Sequence, residues 1–156
     1  MRAPRPVAAA LALVLLAGAC TDSPKESTVT KDEAVARVAE RAQEAGQQLP
    51  PGAKLEQNQA IDDMPCDDGH DSTFVEYRYN VAFPADWPVD QSMTKLADYW
   101  LANGYTIVRD DRDRGRIPEL VVEKKTDGFR IGYLINHNTD GKVNARILSS
   151  SPCIRP

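Results

Sequence analysis

Side chains that carry chemistry are scarce in this chain. Its 156 residues include only two histidines, His70 and His137, and three cysteines, Cys20, Cys66 and Cys153. There is no Gly-x-Ser-x-Gly elbow, no His-Glu-x-x-His and no glycine-rich phosphate loop. Serine hydrolysis, zinc peptidase chemistry and nucleotide binding therefore have no motif to rest on. Serines do cluster at Ser149-Ser150-Ser151, but nothing in the sequence brings a histidine and an acid beside them, so they read as a strand end. No C-x-x-C pair offers a metal site. Long apolar runs are missing too: the most apolar stretch, Val7–Ala17, has eleven residues. As a helix it reaches about 16 Å, half of a hydrocarbon core of roughly 30 Å. The sequence assigns no catalytic residue, no metal and no cofactor, and reads as a non-enzyme. There is no internal repeat, and the length suits one domain.

What is present begins with an address. Arg2 and Arg5 precede the apolar run without an acid between them, and small residues close it at Gly18-Ala19-Cys20. A basic start, a short apolar middle and a small-residue end are the parts of a secretory signal. Leu16-Ala17-Gly18-Ala19-Cys20 resembles the bacterial lipobox, with Leu16 one place further from the cysteine than in its commonest form. The resemblance implies a signal peptide over residues 1–19 and a diacylglycerol on Cys20, acylated with palmitate-type chains. Two chains suffice for stable anchoring, where one binds only marginally. Residues 20–30 then form a lipidated, polar, proline-containing tether, and residues 31–156 the single domain.

Committing Cys20 to lipid leaves an even pair. In an exported chain, Cys66 and Cys153 are expected to form one disulfide. Removing Arg2 and Arg5 from the 19 basic side chains leaves 17 against 23 Asp and Glu, a net charge of about −6. Such a surface disfavours nucleic acid and anionic headgroups, so the membrane contact expected is the anchor alone.

Periodicity supplies the fold. Thr30-Lys31-Asp32-Glu33 fits a capping box, followed by apolar Val35, Val38, Ala39, Ala42 and Ala45 at helical spacing, with a stop at Leu49-Pro50-Pro51-Gly52. Residues 53–61 are a weak strand candidate, and the acidic stretch from Asp62 to Asp71 reads as a turn-rich segment whose capacity for a cation stays open. Phe74–Phe83 alternates strictly, which predicts a half-buried strand. A second helix is expected from Asp90 to about Asn103, with Trp100 in the core. Four short strands follow: 105–109, 120–124, 129–135 and 143–147. The order α-β-β-α-β-β-β-β predicts an α+β fold, with two helices packed on one face of a mainly antiparallel sheet.

The pattern resembles small actinobacterial lipoproteins, in which a helix ending in Trp-Leu leads through Gly-Tyr into a strand and a Ser-Pro-Cys closes the chain. Here those residues are Trp100-Leu101, Gly104-Tyr105 and Ser151-Pro152-Cys153. The resemblance implies fold and address, and no activity. The expected role is an extracytoplasmic, membrane-anchored binding or interaction module of the envelope, meeting an envelope protein or a small ligand. The alternatives are a carrier of a small apolar ligand between helices and sheet, or an envelope hydrolase built on His70 or His137. Trp87 and the arginines of the charged loop, Arg112, Arg114 and Arg116, are the candidate partner contacts.

Overall fold

A computed structural model describes residues 28–67 and 71–155. The signal-like segment, Cys20 and most of the expected tether lie outside these residues, as do Asp68 and His70. Helix α1 spans Lys31–Gly46 and opens with the expected capping box. The Thr30 Oγ1 accepts from the Glu33 amide at 3.3 Å, and the Glu33 carboxylate accepts from the Thr30 amide at 3.0 Å. These bonds to the ionised form hold the Glu33 carboxyl below its ordinary range. The helix buries Ala34, Val38, Ala42 and Ala45 completely. Val35 and Ala39, expected on the buried stripe, are only half-buried. The face is turned toward Ala34 because small residues there let the helix approach the sheet.

Six strands form one antiparallel sheet: β1 (Lys54–Pro65), β2 (Thr73–Ala82), β3 (Tyr105–Asp111), β4 (Glu119–Lys124), β5 (Arg130–His137) and β6 (Val143–Ser150). Their spatial order is β1-β2-β6-β5-β4-β3. Helix α2 (Asp90–Ala102) connects β2 to β3, the far edge. Both helices lie on one face, α1 against β1, β2 and β6, and α2 against β3, β4 and β5. The architecture is α+β in the order read from the sequence.

One boundary is corrected. β1 does not end near residue 61 but continues to Pro65, pairing Met64 with Phe74 and Pro65 with Thr73. Asp62 and Asp63 therefore belong to a strand, at an irregularity between Ile61 and Met64, and not to a turn. The acids broke the alternation that would have marked the strand. A second irregularity in β1 falls between Gln57 and Gln59, and β3 has one between Ile107 and Arg109.

The main core joins both helices to the sheet through Leu96, Trp100, Leu120, Ile131, Tyr133 and Ile147. A smaller cluster of Ala34, Val38, Val75, Phe129 and Ile154 sits at the end of the sheet where α1 begins. There Cys66 and Cys153 form a disulfide across 87 residues of sequence. Beside it Thr73 and Ile154 exchange backbone hydrogen bonds of 2.9 and 2.7 Å, so the chain's end is stitched to the start of β2.

The register gives the sheet two distinct ends. Thr73, Ser150, Arg130, Lys124 and Tyr105 lie toward the disulfide, together with the start of α1. The start of α2, Asp111, Glu119 and His137 lie at the opposite end. Strand β6 runs the eight residues between the two ends, about 24 Å at the usual rise of a strand.

Candidate functional site

A cleft of about 890 Å³ opens at the end away from the disulfide, between the start of α2, the β3–β4 loop and the end of β5. Its floor is apolar, with Met93 6% and Ile135 0% exposed and Pro118 buried. Its rim is polar: Asp90 and Thr94 from α2, Asp110 from the end of β3, Arg112 and Asp113 from the β3–β4 loop, and His137 from β5. The loop is pinned where it returns to the sheet, since Ile135 donates its amide to the Pro118 carbonyl at 3.0 Å and His137 to that of Arg116 at 2.9 Å. Gly115, at φ 43°, makes the turn that lets the loop fold back.

Two polar pairs organise the rim. The His137 Nε2 lies 3.2 Å from an Asp90 carboxylate oxygen. Arg112 donates through Nε and Nη2 to both oxygens of Asp110, at 2.7 and 2.6 Å. Those bonds hold the Asp110 carboxyl below its ordinary range and push the Arg112 guanidinium up. Asp90 stands in the first turn of α2, where the partial positive charge of the helix start favours a carboxylate.

Beneath the cleft the packing is tight. The hydroxyls of Ser92 and Tyr133 lie 2.6 Å apart, Ser92 also donates to the Val89 carbonyl, and both side chains are buried. Burial pushes the Tyr133 hydroxyl up to about 12 against a partial opposing effect of Ser92. An unfolded tyrosine loses its proton near pH 10. Stability therefore holds its neutral value below about pH 10 and falls by up to ~2–3 kcal/mol as pH rises from about 10 to 12. Tyr77, Tyr79 and Tyr105 are raised as well, by burial first, and add to the same alkaline limb. Urea midpoints at about pH 8 and pH 11.5 should fall further in the wild type than in Tyr133→Phe. Equal falls would remove Tyr133 as a cause.

The expected contacts are only partly brought together. Arg112 lines the cleft, but its charge is met by Asp110. Arg114 lies 3.6 Å from Asp111. Arg116 is exposed and gives its backbone carbonyl to His137. The loop thus neutralises much of its own charge. Trp87 is not part of this cleft; it is half-buried before α2, with the Lys95 ammonium 5.1 Å above its ring. Sequence reasoning missed the cleft itself, because Asp90 reads as a helix start and His137 as a strand end. Only the strand order places one beside the other.

In the acidic stretch, Asp63 pairs with Lys31 at 2.7 Å, and Asp62 lies close enough to the Tyr77 hydroxyl to add to the upward push that burial gives it. Among the described residues no group of three or more His, Cys, Asp or Glu is arranged to hold a metal ion. The serines at the end of β6 have structural surroundings: Ser151 Oγ accepts from the Val75 amide at 3.0 Å, and Ser149 is fully buried. On the helix-free face of the sheet, Gly132 lies between Val121 and Leu148 and leaves a shallow groove of about 350 Å³. A Cβ at Gly132 would meet the Val121 side chain at 3.4 Å. The groove's rim carries Glu76, Arg109, Glu119 and Arg130, and Arg109–Glu119, Arg130–Glu123 and Arg78–Glu76 form ion pairs on this face.

Comparison with protein-family models, with curated proteins and with solved structures finds no match to this chain. No helix among the described residues is long and apolar enough to cross a membrane.

Proposed function

We propose that the chain is a lipoprotein of the actinobacterial type, anchored through Cys20 to the extracytoplasmic face of the cell membrane, whose domain is a non-enzymatic binding module of the envelope. The observation that carries this reading is the Cys66–Cys153 disulfide. It pairs the two cysteines left once Cys20 is given to lipid, and such bonds persist in exported proteins. The lipobox-like Leu16–Cys20 and the acidic composition support the same address. For the binding role the support is the cleft, whose volume falls in the range of ligand sites and whose rim gathers Asp90, Arg112, Asp113 and His137.

The other readings have less behind them. A carrier of an apolar ligand between helices and sheet needs space that Leu96, Trp100, Leu120 and Tyr133 fill. A hydrolase gains the Asp90–His137 pair, yet Thr94 is the one hydroxyl among the residues lining the cleft. Metabolic labelling with an alkyne-tagged palmitate tests the anchor. The wild type should label and Cys20→Ala should not, while the disulfide still forms. Labelling that persists in Cys20→Ala sinks the reading.

A further inference from the structure

We propose that the β3–β4 loop is a site at which an arginine-specific endopeptidase cuts the folded domain, hydrolysing the Arg114–Gly115 bond to give two pieces joined by the Cys66–Cys153 disulfide. One water is consumed, leaving a carboxylate on Arg114 and an ammonium on Gly115. This goes beyond the binding reading above and does not rest on it. Residues 112–117 are all exposed and belong to neither a helix nor a strand. Exposed loop tips of small and polar residues are where folded chains are preferentially cut, and this one carries Arg112, Arg114 and Arg116 at alternate positions. The three are not equally available. Arg112 is held by both oxygens of Asp110. The Arg116 carbonyl accepts from the His137 amide at 2.9 Å, which ties that peptide to the sheet. The Arg114 side chain is 72% exposed, against 39% for Arg112. Backbone bonds around Arg114 stay within the loop and its entry: Arg114 donates to Asp111, Gly115 to Asp113 and Ile117 to Arg114. A protease draws its substrate into an extended form, and here that breaks no rung of the sheet. On the far side of the bond, Gly115 has no side chain and open space around it.

Rival basic residues sit on peptides that the fold holds. Lys54 pairs with Ala82 in the sheet. Lys125 stands in a turn closed by Lys124, whose amide donates to Phe129 at 2.8 Å and whose carbonyl accepts from Gly128 at 2.7 Å. The Lys142 carbonyl accepts from Asn138 at 2.8 Å. The disulfide decides what a cut in the loop produces. Cys66 lies before the loop and Cys153 after it, so the pieces remain covalently joined. The piece after the cut carries β4, β5 and β6, which fill the middle of the sheet between β3 and β2. Both ladders and the shared core hold it there. What the cut frees is the wall of the cleft lined by Arg112, Asp113 and Gly115.

Limited digestion of the full, oxidised chain with trypsin, a protease of this specificity, tests the proposal, with fragments identified by mass. Within residues 31–156 the first cut should fall after Arg114. The product should run as one species without reductant and as two pieces with it, and before reduction it should keep a cooperative thermal transition. Arg114→Gln should slow the first cut by at least about tenfold, because the protease's pocket selects the residue before the bond. That side chain is exposed, so the variant should melt with the wild type, which a parallel thermal scan checks. A first cut at Lys54, Lys125 or Lys142, or no cut at trypsin levels that digest the unfolded chain, would overturn the loop as the site. An equal rate in Arg114→Gln would overturn the choice of bond. Pieces that separate without reductant, or a cut domain with no thermal transition, would overturn the joined product.

Discussion

Replacing Cys66 and Cys153 together by serine should lower stability by about 2–4 kcal/mol, a fall of roughly 8–15 °C in melting temperature for a domain of this size. The bridge closes 87 residues of sequence, and chain entropy alone sets an upper value of roughly 4.6 kcal/mol for such a loop. The loss should be felt first where the bridge holds little else in place. Ile154 is tied by two backbone bonds to Thr73 and packs in the small cluster with Val75 and Phe129. Amide exchange at Val75 and Ile154 should therefore quicken more than at Ile135 or Ile147 in the larger core. Thermal melts of the double variant and of the reduced wild type measure the effect. A shift under about 2 °C would mean that the unfolded chain gains little freedom when the bridge is cut.

Trp100→Ala should cost more for a single substitution, about 3–5 kcal/mol. The indole is 1% exposed and is the largest side chain fully buried in the domain. It anchors the last turn of α2 on the sheet beside Leu96, Leu120 and Tyr133, and its removal leaves a cavity that no neighbouring backbone can collapse to fill. The adjacent Leu101 is 49% exposed, so Leu101→Ala should change stability by less than about 0.5 kcal/mol. Urea unfolding of the two variants makes the comparison within one helix turn. Similar losses in both would show that α2 is not held by its inward face.

Much of this architecture was legible because one-sided burial writes itself as a period. Val75, Tyr79 and Val81 alternate with Glu76, Arg78 and Asn80, and β2 has its buried and open faces accordingly. Thr30 and Glu33 announced α1 by chemistry that needs no tertiary context. β1 was only partly legible for the opposite reason. It is an outer strand with most of its residues exposed, so nothing constrained its residues to alternate, and Asp62 and Asp63 resembled a loop. The cleft was illegible for yet another reason. Asp90 and His137 meet only because β5 lies inside the sheet while α2 crosses toward the far strand. That is a fact of strand order, which no local pattern encodes.

The irregularities in β1 and β3 fall on the two strands that have a neighbour on one side only. A regular strand in that position offers a row of free amides and carbonyls to any second sheet. Three of the domain's exposed large apolar residues, Leu101, Ile107 and Val108, gather at the β3 side, where such recruitment would be most favourable. Bulges at both borders bend and twist the unpaired rows out of line, and Arg109, Asp110 and Asp111 add charge to the second half of β3. When many copies meet at high concentration, these interruptions keep each sheet finite and the copies separate. Straightening β3 by deleting Val108 would trade that protection for a longer, flatter border.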